Sequence, residues 1–320
     1  MTAARIIVGP RIIVGRGDRP VTIVAPRSQC KANVVSVDKI PLYASLVRFD
    51  KPVGTLLLLW PTLTALWIAA GGVPDPLLLA VFIAGSFLMR SAGCAINDAA
   101  DFRFDAQVAR TADRVVARGL VSPREAVAVA AALAGLAALL LLALNDAAVR
   151  LALVAVAIAA TYPLAKRFFP IPQIYLGVAF SFGVPMAFAA VQGQVPPVGW
   201  LLFVANSFWV IAYDTEYAMV DRDDDIKMGI HSSAIFFGRA DVAAVMGCYG
   251  VYFALLLLVG AQLAAGALFY AGWAAGVAFA IHHYFLIRQR LRADCFRAFR
   301  HNNWVGFAVF AGVVADHLAR

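Results

Sequence analysis

Two groups of acidic residues stand at the ends of long apolar runs, at spacings that chemistry could use. The first, Asn97, Asp98, Asp101 and Asp105, follows the apolar run 77–96. The second, Asp214, Asp221, Asp223, Asp224 and Asp225, follows the apolar run 200–210. Asp98, Asp101 and Asp105 recur at i, i+3 and i+7, so on a helix they share one face. Asp221 and Asp225, at i and i+4, do the same, with Asp224 adjacent and Asp214 two turns earlier. Stacked like charges repel, and a carboxylate at the centre of a bilayer-spanning helix costs about 2.5–3.5 kcal/mol. A bound cation removes both conflicts. Mg2+ takes carboxylate and phosphate oxygens in an octahedron and keeps several waters. Two such sets in one chain predict a shared site in which Asp98, Asp101, Asp105, Asp221 and Asp225 hold Mg2+ ions that bridge to a diphosphate. The bland alternative is a pair of solvated acidic loops.

A departing diphosphate also needs direct cationic donors. Arg114, Arg118, Lys166 and Arg167 fall in the same predicted layer, and Arg114, Lys166 and Arg167 are the candidates for diphosphate contact. Setting the membrane topology is their alternative role. Arg48, in the stretch Arg48-Phe49-Asp50-Lys51-Pro52, could pair with a carboxylate on an acceptor or act as an interfacial anchor. Tyr213 and Tyr217 precede Asp221 by eight and four residues, which puts Tyr217 on its face. An aromatic face there attracts a cation-like intermediate, with ordinary packing as the alternative. His231, His282, His283, His301 and His317 form no ligand pattern and read as structural. Cys30, Cys94, Cys248 and Cys295 show no metal spacing, and no disulfide is expected.

These residues must be positioned by a chain of 320 residues that is 62% hydrophobic and only 14% charged. Ordinary soluble domains are about 25% charged. The apolar runs predict an all-α, polytopic membrane protein whose helices surround a central cavity. Nine runs, near 53–70, 77–96, 125–144, 147–164, 174–191, 200–220, 242–263, 267–287 and 304–318, are candidate spans, the last being short. The net charge of +8 does not point to nucleic acid, because Lys and Arg cluster in alternate connections. That alternation predicts a cytoplasmic N-terminus, an external C-terminus and both acidic groups facing the cytoplasm, where soluble metabolites are supplied. Residues 1–40 stand apart: they repeat RIIVG at 5–9 and 11–15 and read as a basic, disordered tail. Residues 41–320 read as one membrane domain. Its first four and next four spans each place acids after their second helix, which suggests two related halves around one cavity.

Asn97-Asp98-x-x-Asp101-x-x-x-Asp105 and Asp221-x-x-x-Asp225 resemble the two signatures of the UbiA family of membrane prenyltransferases. The stretch 213–238, YDTEYAMVDRDDDIKMGIHSSAIFFG, is similar to the 4-hydroxybenzoate polyprenyltransferase branch in particular. So are 46–62, LVRFDKPVGTLLLLWPT, and Tyr162-Pro163 with Lys166-Arg167. The resemblance covers about 41–320. It implies nine transmembrane helices, Mg2+ dependence, and transfer of a polyprenyl chain from its diphosphate to the aromatic carbon ortho to the hydroxyl, in ubiquinone biosynthesis. By match, Asn97, Asp98, Asp101, Asp105, Asp221 and Asp225 would hold Mg2+–diphosphate. The family often has Pro after the position of Arg114, and Lys at position 231. This chain has Val115 and His231 there.

The expected chemistry is heterolysis of an allylic C–O bond, attack of the electron-rich ring carbon of 4-hydroxybenzoate on the delocalised carbocation, and loss of the ring proton. Water must be excluded or the cation becomes an alcohol. A bundle in a bacterial inner membrane supplies that dryness, and a long isoprenoid tail can stay in lipid. Two rivals remain at this level. One is the same transfer to a naphthoate, homogentisate or haem. The other, from a different class, is a secondary transporter, which predicts polar residues near the midplane of broken helices.

Overall fold

The computed structural model describes residues 7–8, 11–14, 21–23, 39–108 and 110–320, the side chains of 7–8, 11–14, 21–23 and 163–167 excepted. The side chains of Lys166 and Arg167 and the thiol of Cys30 therefore lie outside the described residues. The chain divides into two compact units, Met1–Lys39 and Ile40–Arg320. In the first, where the sequence suggests a disordered tail, the described residues form three short strands: β1 (Ile7–Val8), β2 (Arg11–Val14) and β3 (Val21–Ile23). They pair antiparallel in chain order, and the RIIVG repeat supplies β1 and β2, because Ile and Val favour the extended backbone.

The second unit is helical. After the short α1 (Lys39–Leu46) come α2 (Val53–Ala70), α3 (Pro76–Asp105), α4 (Pro123–Leu140) and α5 (Asp146–Phe168). Then follow α6 (Pro172–Ser181) and α7 (Gly183–Gln192), separated by a break at Phe182, and α8 (Pro197–Met228). The chain ends with α9 (Ser233–Phe237), α10 (Asp241–Gln262), α11 (Ala267–Ile287) and α12 (Arg292–Leu318). Local sequence marks the ends. Asp75 accepts hydrogen bonds from the Leu77 and Leu78 amides at 2.8 and 3.1 Å, with Pro76 opening α3. Gly71 and Gly229 close α2 and α8 in the left-handed conformation, at φ 65° and 66°.

The protein is an integral membrane protein by the length and hydropathy of its helices, and six of the nine expected spans are found among the described residues. Six stretches of the described residues qualify: Val53–Ala70, Pro76–Asp105, Pro123–Ala143, Pro172–Gln192, Pro197–Met228 and Ser233–Gln262. The other three expected spans are helical, yet α11 carries His282 and His283, α12 opens on a cationic stretch from Arg292 to Arg300, and part of α5 lies outside the described residues. At the α11–α12 crossing the backbones nearly touch: a Cβ on Gly272 would lie 2.5 Å from the Ala308 carbonyl oxygen and 2.7 Å from Gly312 Cα. Any side chain there would push the two helices apart.

One buried carboxylate ties together the end of the bundle that carries the acids. Asp241, fully buried, accepts from Arg222 on α8 at 3.0 Å and from Arg290 at 2.7 Å. Arg290 sits at φ 56° in the α11–α12 turn and also reaches the Arg239 carbonyl oxygen at 2.9 Å. Asp241→Ala strands two cations, so it is expected to lower stability by about 2 kcal/mol, since hydrogen bonds to charged groups contribute roughly 1.5–3. Thermal unfolding of the detergent-purified variant measures this, and an unchanged midpoint would remove Asp241 from the scaffold.

Candidate active site

A cavity of about 1540 Å³ opens inside the helical unit. The last turns of α3 line it with Asn97, Asp98, Asp101 and Asp105. The second half of α8 lines it with Tyr213, Asp214, Tyr217, Asp221 and Asp225. Both acidic groups therefore converge on one space at one end of the bundle. The division within the second group is as informative. Asp223 and Asp224 are absent from the cavity lining, and Arg292 of α12 bonds them at 3.1 and 3.0 Å. Helical periodicity separates acids that line the cavity from acids that staple α8 to α12.

Arginines hold the cavity-facing carboxylates. Asp98, only 1% exposed, receives Arg48 Nη2 at 2.8 Å and Arg114 Nη1 at 3.1 Å, and the same Arg114 atom reaches Asp105 at 2.8 Å. Arg48 occupies a left-handed backbone position, φ 59°, a conformation that costs a non-glycine residue energy and that recurs at functional sites. It is fixed there by a 2.8 Å bond to the Ser45 carbonyl oxygen and by Asp98. Arg110 crosses to the other acidic group. Its Nε and Nη2 bond Asp221 at 2.9 and 2.5 Å, its Nη1 bonds the Tyr217 hydroxyl, and its guanidinium carbon lies 4.3 Å from the Tyr217 ring centre. Burial opposes its charge, but Tyr217 and Asp221 outweigh that and raise its pKa, so it stays cationic.

Why the loop after α3 can present both arginines is visible in its apolar residues. Val115, Val116 and Val121 pack into a small core with Leu46, Ala92, Ala95, Ala126 and Ala130. Thr111 donates to the Asp105 carbonyl oxygen at 2.9 Å, and Ser122 caps α4 through the Glu125 amide. Val115 thus replaces a family proline with a core contact. Most of the remaining wall is apolar. Leu153 and Val156 of α5 line the cavity while 61% and 48% exposed, so this wall reaches the outer surface of the bundle.

Arg110 carries no motif in the sequence, and only its position in a cationic loop marked it. Arg90 leaves a clearer trace: it is the lone charge inside the apolar run 77–96, and such a residue is a functional hypothesis by default. It lines the cavity, its Nε is buried without a hydrogen-bond partner among the described residues, and its guanidinium carbon lies 5.8 Å from the Phe180 ring centre. Gly54 makes room for it, since a Cβ there would meet Arg90 Nη2 at 2.6 Å. Of the other expected residues, His231 also lines the cavity, whereas His282, His283 and His301 are gathered elsewhere, at the α11–α12 interface. Cys94, Cys248 and Cys295 carry free thiols.

Among the described residues no three His, Cys, Asp or Glu side chains gather tightly enough to cage a metal unaided. The donor set nevertheless fits Mg2+, which is usually held by one or two carboxylates together with substrate phosphates and water, not by an all-protein cage.

Residues 58–307 match the model of the UbiA prenyltransferase family. The chain is 59% identical over 281 residues to the 4-hydroxybenzoate octaprenyltransferase of Azoarcus sp. (strain BH72), covering 88% of this chain and 98% of that one. Its fold is similar to the apo structure of a UbiA homolog from Aeropyrum pernix K1, with TM-score 0.71 and 27% identity over 82% of this chain and 97% of that one. It is also similar to a UbiA homolog from Archaeoglobus fulgidus bound to GPP and Mg2+, with TM-score 0.66 and 18% identity over 84% and 99% of the two chains. Taken with the two acidic signatures on α3 and α8, these matches mean that the chain belongs to the UbiA prenyltransferase family.

Proposed function

We propose that this protein transfers a polyprenyl group from polyprenyl diphosphate to the ring carbon ortho to the hydroxyl of 4-hydroxybenzoate, in ubiquinone biosynthesis. The setting is a bacterial inner membrane, with the cavity mouth toward the cytoplasm. The observation that carries the reading is the convergence of both acidic groups and five arginines, Arg48, Arg90, Arg110, Arg114 and Arg300, on one cavity whose other walls are mostly apolar. The name borne by relatives close to 60% identical over almost their whole length supports the acceptor.

Asp98, Asp101, Asp105, Asp221 and Asp225 are the groups that would hold Mg2+, with Asn97 beside them. Bound there, Mg2+ neutralises charge on the diphosphate oxygens. Arg110 and Arg114 stand among these carboxylates, and once a diphosphate arrives they can turn their donors to its oxygens, a geometry guanidinium groups suit. Tyr213 and Tyr217 present aromatic surface to the cavity, where a delocalised allylic cation gains from their faces. The apolar wall of α5 takes the isoprenoid tail and excludes water from the cation. Lys166 and Arg167 remain candidates for diphosphate contact.

The acceptor carboxylate needs a cation that is not already taken. Arg48 bonds both oxygens of Asp98. Arg90 has an unpartnered buried donor facing the cavity, and it is the better candidate. Purified protein given Mg2+, 4-hydroxybenzoate and octaprenyl diphosphate should form the prenylated acid, detected by mass, and chelation of the metal should abolish it. Product with a naphthoate or homogentisate but not with hydroxybenzoate would overturn the acceptor. Arg90→Leu is expected to raise KM for hydroxybenzoate about tenfold, the value of a charge-assisted hydrogen bond, with KM for the diphosphate little changed.

A further inference from the structure

On the side of α8 turned away from the cavity lies a polar string that the transfer reaction does not use. Glu216, Tyr249, His283 and Asn302 come from α8, α10, α11 and α12, and each is at most 1% exposed. Asn302 is held in one orientation. Trp209 Nε1, which can only donate, lies 2.8 Å from Asn302 Oδ1. Asn302 Nδ2 in turn donates to Glu216 Oε2 at 2.8 Å and to the Ala298 carbonyl oxygen at 3.1 Å.

The Tyr249 hydroxyl then has three close neighbours: Asn302 Oδ1 at 2.8 Å, Glu216 Oε1 at 3.0 Å and His283 Nδ1 at 2.9 Å. A hydroxyl has one hydrogen and two lone pairs. Asn302 Oδ1 can only accept, so the Tyr249 hydrogen goes to it. The tyrosine oxygen must then accept from both other neighbours. His283 donates from Nδ1, and its Nε2 accepts from His301 Nδ1 at 3.0 Å. Glu216 must donate from Oε1, which it does only as a carboxylic acid. With that proton in place each contact has one hydrogen and no group is charged, as a buried site requires. An ionised Glu216 would instead leave two acceptors facing each other at 3.0 Å.

We propose that Glu216 is a positioning residue of the prenyl-transfer site, held as a neutral acid that fixes the rotation of α8. The reading rests on the proposed prenyl transfer for its kinetic consequence only. Trp209 and Glu216 are seven residues apart, on one face of α8, and Asn302 grips both. Tyr217 and Asp221, displaced around the helix from that face, line the cavity, and so does Tyr213, which packs edge-on against Trp209. Rotation of α8 would withdraw the second acidic group, and small misplacements at a reacting site cost as much as about a hundredfold.

Glu216→Gln keeps one donor and one acceptor and no charge. It should retain kcat and KM within about threefold, because the hydrogen bonds survive. Glu216→Ala should raise KM for polyprenyl diphosphate at least about tenfold, with KM for hydroxybenzoate little changed. Infrared difference spectra of wild type against Glu216→Gln should contain the carbonyl band of a protonated carboxyl group, whatever substrate the protein uses and whether or not the Ala variant folds. Absence of that band, or a Gln variant as impaired as the Ala variant, would overturn the neutral acid. Wild-type kinetics in a folded Glu216→Ala protein would overturn the positioning role.

Discussion

Asp221→Asn is expected to lower kcat/KM for prenyl transfer by about a hundredfold to a thousandfold, the scale on which single electrostatic groups at reacting centres act. The substitution keeps the shape of the side chain and removes its charge. Asp221 faces the cavity and carries the bidentate contact from Arg110, so the change strikes both a proposed oxygen donor for Mg2+ and the cation that faces it. The matched control lies three residues on. Asp224 is bonded to Arg292 and lies outside the cavity lining, so Asp224→Asn should stay within about threefold of wild type, as expected for an exposed ion pair. Product formation measured across a range of Mg2+ concentrations separates the two. If both variants lost activity alike, acidity of the segment as a whole would matter and the cavity assignment would fail.

That contrast shows how far the sequence could be read. The i, i+3, i+7 and i, i+4 spacings put Asp98, Asp101 and Asp105 on one helix face and Asp221 and Asp225 on another, because helical period alone decides which residues share a side, and all five line the cavity. Spacing within one helix carries no information about a partner 111 residues away, so the Arg110–Asp221 contact was not legible. Arg48 shows the same limit. Its neighbours suggested an interface or an acceptor, whereas it bonds Asp98, 50 residues on. Hydropathy found every long helix, and six stretches of the described residues qualify as spans by length and composition; α11 holds histidines and α12 arginines that lower their mean hydropathy. The histidines read as structural, and His283 is indeed buried in a hydrogen-bonded string, but the string spans four helices and no local pattern announces it. The rival transporter reading required acids on broken helices near the midplane. Here Asp98, Asp101, Asp105, Asp221 and Asp225 ride on the C-terminal parts of α3 and α8, continuous helices of 30 and 32 residues.

Arg110→Ala should have the second large effect, a rise of about a hundredfold in KM for polyprenyl diphosphate. Arg110 of the α3–α4 loop bonds Asp221 and Tyr217 of α8, so it couples the first acidic group to the second. Without ligand its charge is satisfied by Asp221 and Tyr217. A diphosphate brings more negative charge than a single carboxylate and competes for the same donors, so the guanidinium would exchange an internal partner for substrate oxygens. Loss of one buried, charge-assisted contact with two donors is worth roughly 2–3 kcal/mol, and each 1.4 kcal/mol is tenfold in affinity. Arg110→Lys should restore little, because an ammonium group cannot span two oxygens in a fixed plane. The diphosphate dependence of initial rates in Ala, Lys and wild-type proteins measures this, with thermal unfolding run alongside to show that the loop stays anchored through Val115, Val116 and Val121. Full rescue by lysine would mean that a point of positive charge suffices there. An unchanged KM in both variants would assign Arg110 to the joining of α8 to its loop and leave the diphosphate to Arg114 and the metal.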